Sequence, residues 1–129
     1  MKSSGDKAVM LPFTSIEAPD TLVVRLENPE RFNDSRSDEY RQSLYHSVLS
    51  KREPLVALDL SLVDYLSSTG IAILVGLKRR VEEQRGQLVL FRIQPFIFEL
   101  LRGMKLNTYF SIVDCEQDAL ALLRPAAVV

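Results

Sequence analysis

Leu55-Val56-Ala57-Leu58-Asp59-Leu60-Ser61-Leu62-Val63-Asp64-Tyr65-Leu66-Ser67-Ser68-Thr69-Gly70-Ile71 is the stretch from which the fold can be read. Leu55 to Leu60 is apolar on both alternating faces, the pattern of a strand buried from both sides and paired in parallel. Ser61 to Ser67 then reads as a loop. From Ser68 to Gln84 the apolar residues Ile71, Leu74, Val75 and Val81 recur at helical spacing, while Lys78, Arg79, Glu82 and Glu83 solvate the remainder. A buried strand feeding directly into an amphipathic helix is the start of a parallel crossover unit.

Upstream, Pro54 stops a helix that begins at Ser35 or Ser37 and runs to Leu49, with Tyr40, Leu44, Tyr45, Val48 and Leu49 on one face. Glu27 to Asp34 is a polar connection. Thr21 to Leu26 is rich in β-branched residues and forms a hairpin with a strand at Met10 to Ile16, through a turn at Pro19-Asp20. Pro12 confines that first strand to an edge or to a strand start. Downstream, Gly86 stands where a left-handed helix terminator belongs, and Gln87 to Ile93 is another strand apolar on both faces. Pro95 opens a third helix with Phe96, Ile97, Leu100, Leu101 and Met104 on its packed side. A strand at Phe110 to Val113 and a helix from Cys115 or Glu116 to Leu123 close the pattern.

The order β-β-α-β-α-β-α-β-α predicts an α/β fold with a mixed, mostly parallel sheet of about four or five strands. Right-handed crossovers between neighbouring strands put the helices mainly on one face. The opposite face then needs a cover, which the N-terminal segment or a second subunit would supply, so a homodimer is expected. Residues 1–9 read as a flexible tail, 10–123 as one domain and 124–129 as a C-terminal tail.

Composition narrows the function. The 129 residues are 47% hydrophobic and 26% charged, with a formal net charge of −1, which suits one globular domain and gives no field to attract nucleic acid. One cysteine, Cys115, excludes an intrachain disulfide, and one histidine, His46, excludes metal sites built from several His or Cys ligands. Cys115 stands between Asp114 and Glu116, company that disfavours a thiolate. No cofactor is expected. The opening residues lack the apolar core of a signal peptide, and no run reaches the ~18 apolar residues of a membrane span. A cytoplasmic protein without membrane insertion is expected. Lys78-Arg79-Arg80 with Arg85 is basic, but Glu82 and Glu83 interrupt it, so it reads as a solvated helix face.

Ser67, Ser68 and Thr69 precede Gly70 where a strand's carboxyl end meets a helix start, the place where open α/β sheets put their sites. Two readings stand. The hydroxyls cap the helix and Gly70 permits close packing, or an exposed hydroxyl there is an anion-ready phosphorylation site, because helix N-termini favour negative charge. Nucleophilic catalysis by Ser68 would need a positioned base. His46 is the single histidine, and no Gly-x-Ser-x-Gly elbow surrounds the serine.

This loop resembles that of the STAS domain family, whose name covers sulfate transporters and anti-sigma factor antagonists. Leu22 to Leu26, Gln87 to Phe91 after Gly86, Phe98-Glu99-Leu100-Leu101-Arg102-Gly103-Met104-Lys105-Leu106 and Phe110 to Leu120 agree with it in order and spacing. The resemblance implies a non-enzymatic regulatory protein like an anti-sigma factor antagonist, which switches partners through serine phosphorylation. Its partners would be an anti-sigma factor that is itself a serine kinase, and a phosphatase. The family loop Asp-Ser-Ser/Thr-Gly places the phosphoacceptor on Ser68, with Thr69 as the alternative acceptor and Gly70 as the glycine. Ser67 departs from the family Asp. The family's acidic residue before the first helix falls on Asn33 or Asp34, and Asp34 is kept as a candidate contact. That departure puts nucleotide binding in doubt. The alternative role is an accessory subunit of a transporter or stressosome-type signalling assembly that docks without phosphorylation.

Overall fold

The computed structural model describes residues 13–18, 21–34 and 37–123. β3 (Leu55–Asp59) is buried at all of its positions and stands at the centre of a five-stranded sheet. On one side lies β2 (Thr21–Leu26), parallel to β3 with Val23 opposite Ala57. β2 pairs in turn with the edge strand β1 (Phe13–Ala18), antiparallel, with Phe13 opposite Leu26. On the other side β4 (Gln87–Phe91) runs parallel with Val89 opposite Ala57, and β5 (Ser111–Val113) parallel beyond it with Val89 opposite Ser111. Strands therefore follow one another across the sheet in chain order.

Alternation along the strands divides the core in two. Leu22, Val24, Leu26, Val56, Leu58, Leu88 and Leu90 face the three crossover helices. These are α2 (Ser37–Leu49), α3 (Ser68–Glu83) and α4 (Pro95–Gly103), which contribute Tyr40, Leu44 and Val48, then Leu74, Leu77 and Val81, then Ile97 and Leu101. Val23, Leu55, Ala57, Val89 and Phe91 face the other way, against Ala119 and Leu120 of α5 (Glu116–Leu122) and against Leu123. The mostly parallel sheet with helices mainly on one face is as the sequence predicts. The cover of the second face is different. It is α5, which crosses no strand pair and is therefore free of the handedness rule that gathers the other helices.

Four further differences have local causes. The connection at Glu27 to Asp34 contains a one-turn helix, α1 (Pro29–Phe32), started by Pro29 at its first position and packing the buried Phe32 edge-on against Tyr40. β1 extends to Ala18; the turn expected at Pro19-Asp20, the residues before Phe13 and both expected tails lie outside the described residues. On α4 the expected packed side is only partly buried: Ile97 and Leu101 are covered, whereas Phe96 is 66% and Met104 50% exposed.

The fourth difference concerns Gly86. The left-handed residue after α3 is Arg85 (φ 64°), and no described glycine has positive φ. The Arg85 amide donates to Glu82 O (2.9 Å) and the Gly86 amide to Val81 O (2.9 Å), a Schellman termination. Gly86 serves a close approach instead: a Cβ there would lie 2.1 Å from Pro54 O and 2.8 Å from Pro54 Cδ. Gly86→Ala should therefore lower stability by about 1–3 kcal/mol through overpacking. Arg85→Gly relieves the left-handed cost and should be tolerated. Thermal unfolding of the two variants checks the assignment, and the reverse order would refute it.

Candidate functional site

The loop between β3 and α3 opens at the carboxyl edge of the sheet, and both of its ends are tied down. At the start, the Leu60 amide extends the ladder by donating to Phe91 O (3.0 Å), and Val63 N donates back to Leu60 O (3.0 Å) in a turn. Asp59 is 4% exposed; its Oδ1 accepts the Ser61 amide (2.8 Å) and its Oδ2 pairs with Arg92 (3.3 Å). A buried carboxylate persists when it is paired and hydrogen-bonded in this way. The Gln94 side chain donates through Nε2 to Ser61 O (2.9 Å), joining this loop to the one after β4.

The end of the loop is held by Asn33, just after α1. Its Nδ2 donates to Pro29 O (3.0 Å) and Tyr65 O (2.8 Å). Its Oδ1 accepts the Ser67 amide (2.8 Å) and lies 3.1 Å from Ser67 Oγ, which is also 3.1 Å from Asn33 O. The one hydroxyl proton serves one of those two acceptors. Ser67 Oγ accepts in turn from the Gly70 amide (3.1 Å), and Ser67 O accepts from Ile71 (2.9 Å). Ser67 is thus the N-cap of α3. Gly70 is required by proximity: a Cβ would sit 2.2 Å from Asn33 Oδ1 and 3.1 Å from the Phe32 ring. The segment beneath is steadied by Tyr40, whose hydroxyl donates to Glu27 O (2.6 Å). Burial, with the Glu27 charge adding to it, pushes that phenol well above its ordinary range, so it stays a neutral donor.

The expected site residues therefore separate into two groups. Ser67 and Gly70 are structural, engaged in capping and close packing. Ser68 and Thr69 occupy the first two positions of α3 and are exposed. The first four amides of a helix lack intrahelical acceptors. Here Asn33 Oδ1 takes that of Ser67 and Ser67 Oγ that of Gly70, which among the described residues leaves those of Ser68 and Thr69 for an outside anion. Asp34 is half-buried and its carbonyl accepts from Ser37 (3.1 Å), but the side chain that reaches the loop belongs to Asn33. The contact spans 34 residues of chain, and the sequence signal for it was the ambiguity between Asn33 and Asp34. The loops at the carboxyl edge of the sheet also expose three large apolar side chains, Leu62 (46%), Tyr65 (58%) and Phe96 (66%), the last of which the sequence places on the packed side of α4. Such a patch marks an interaction surface when it is contiguous. Among the described residues no three His, Cys, Asp or Glu side chains are placed to hold a metal, and no helix is long and apolar enough to cross a membrane.

Comparison with known proteins places this geometry. The family model of the STAS domain matches residues 13–119. A curated relative, BtrV of Bordetella bronchiseptica, named as a candidate anti-sigma factor antagonist, is 26% identical over 94 residues, covering 73% of this chain and 80% of BtrV. An anti-sigma factor antagonist (STAS) domain protein of Planctomyces limnophilus superposes with a TM-score of 0.74 at 17% identity, over 85% of this chain and 96% of that one. The Bacillus cell fate determinant SpoIIAA in its phosphorylated form gives 0.62 at 16% identity, over 87% and 99%. These structures share the fold.

The division of labour in the loop is testable by stability. Ser67→Ala should cost about 1 kcal/mol as a lost N-cap, and Ser68→Ala should stay within about 0.5 kcal/mol as an exposed change. Asn33→Ala should cost more than Ser67→Ala and accelerate amide hydrogen exchange between Tyr65 and Gly70. Urea unfolding and exchange mass spectrometry read these effects, and a Ser68→Ala cost equal to that of Ser67→Ala would reverse the assignment.

Proposed function

The chain belongs to the STAS domain family, and we propose that it is a regulatory binding protein of the anti-sigma factor antagonist kind whose partner is switched by phosphorylation of Ser68. The observation that carries this reading is the contrast between two adjacent serines. Ser67 spends its hydroxyl on the cap, while Ser68 stands exposed one residue later at the helix start. A phosphoryl group on Ser68 would add about −1.5 to −2 charges. Two amides and the positive end of the helix dipole would meet that charge, which stabilises it by roughly 0.3–1 kcal/mol. The fold would survive and the surface would change.

The unphosphorylated edge, whose loops expose Leu62, Tyr65 and Phe96, offers a partner an apolar contact. A phosphate at its rim would impose desolvation and like-charge penalties of several kcal/mol, enough to dissociate a micromolar complex. The name of BtrV and the phosphorylated form of SpoIIAA support this reading. The partners would be an anti-sigma factor acting as serine kinase and a phosphatase that restores binding, both in the cytoplasm. Binding without catalysis fits the chain's own residues, since its single histidine, His46, lies on the exposed side of α2. Ser67 in place of the family Asp supports a second reading, docking in a transporter or stressosome-type assembly with no phosphorylation.

Incubation with the cognate serine kinase followed by mass spectrometry should place one phosphate on Ser68 and none in Ser68→Ala. Ser68→Asp should weaken partner binding at least tenfold, about 1.4 kcal/mol. An unmodified Ser68, or equal binding by wild type, Ser68→Ala and Ser68→Asp, would overturn phosphorylation switching and leave docking alone.

A further inference from the structure

The seam between α2 and α3 holds a cluster of positive charge that the switch at Ser68 does not use. Tyr45 of α2 is fixed there. Its hydroxyl donates to Ile73 O (2.8 Å), and it fills the space that a Cβ on Gly76 would need, 2.5 Å away. The guanidinium of Arg41 lies 5.7 Å from the ring centroid and that of Arg80 lies 5.8 Å from it, so two cations flank one ring. Burial pushes the Tyr45 phenol up, and Arg41, Arg80 and Arg79 all pull against that shift, so the fields of three arginines converge on this point.

The arginines are poorly neutralised. Arg41 reaches Asp38 at 3.7 Å, an exposed pair worth little. Among the described residues neither Arg79 nor Arg80 has a carboxylate at ion-pair distance, whereas the neighbouring Lys78 pairs with Glu82. Glu83, further along α3, lines a different groove with Arg52 and Arg85. Guanidinium forks are the side chains best suited to bidentate carboxylate recognition, and two of these three are exposed.

We propose that the Arg41, Arg79 and Arg80 seam is a docking surface for a carboxylate-rich segment of a protein partner. Charge complementarity selects this occupant. Two guanidinium groups set on one aromatic ring, with that of Arg79 beside them, match two or three Glu or Asp side chains, whereas a nucleic-acid site needs a longer basic track than this chain of net charge −1 supplies. The seam lies eleven to twelve residues along α3 from Ser68, about 17 Å at the helical rise. That exceeds the Debye length of about 8 Å at physiological salt. The seam therefore contributes affinity and association rate independently of the phosphorylation state. Its geometry does not rest on the Ser68 reading, and the two can fail separately.

The test is an amide NMR titration of the whole chain, unphosphorylated, with a glutamate-rich peptide at low and at physiological salt. Shifts should centre on Arg41, Tyr45, Gly76, Arg79 and Arg80 and shrink as salt rises. The charge reversals Arg79→Glu and Arg80→Glu together should weaken the peptide about tenfold, and Arg79→Lys with Arg80→Lys, which keeps the charge and loses the bidentate fork, should weaken it by a smaller factor with an unchanged fold by circular dichroism. Shifts spread equally over Arg52, Arg85 and Arg92, indifference to charge reversal, or equal binding of a duplex DNA of matched charge would each overturn the proposal.

Discussion

Asn33 ties α1, the β3–α3 loop and the N-cap of α3 together with every hydrogen-bonding group its side chain has. Two donors reach carbonyls of α1 and of the β3–α3 loop, and the acceptor takes Ser67. Only a residue without a side chain fits at Gly70 beside it. This node decides the direction of α3 as it leaves the sheet, and with it which hydroxyls face outward. Buried amide groups that satisfy all of their partners specify one geometry, because each alternative leaves an orphan costing about 1–3 kcal/mol. The paired Asp59 does the same for the other end of the loop. The loop is rigid at both anchors and presents its exposed residues in between.

Rigidity would let a charge be added here without unfolding the domain. The helix end already lacks two acceptors and carries a positive dipole, so an anion completes it. The apolar side chains exposed on the same edge are held by loops that the Gln94–Ser61 hydrogen bond ties together. A partner would meet a preformed surface and lose little to ordering it. Binding strength and switching can then reside in adjacent but separate groups.

Much of this was legible in the sequence. β3, β4, α2 and α3 are marked by local apolar periodicity, and their boundaries agree with the structure within a residue or two. The Ser67-Ser68-Thr69-Gly70 stretch was legible as a site because its position after a buried strand is a topological fact. What stayed hidden depends on distant neighbours. Gly86 looks like a helix terminator, and only the approach of Pro54 shows its other use. Periodicity puts Phe96 on an apolar stripe but does not say where the sheet's cover ends. Asn33 and Asp34 are equivalent until the fold brings one of them to Ser67, and the placement of α5 follows from no crossover rule.

The central claim is that a charge on Ser68 changes the surface of this domain and leaves its fold intact. The most direct measurement is the amide NMR spectrum of the chain with phosphoserine installed at position 68, compared with the unmodified chain. The account predicts shifts confined to Asn33 and the residues from Tyr65 to Ala72, with the central strand unmoved and stability within about 1 kcal/mol. Shifts extending through Val56 and Leu58, or loss of cooperative unfolding, would contradict it.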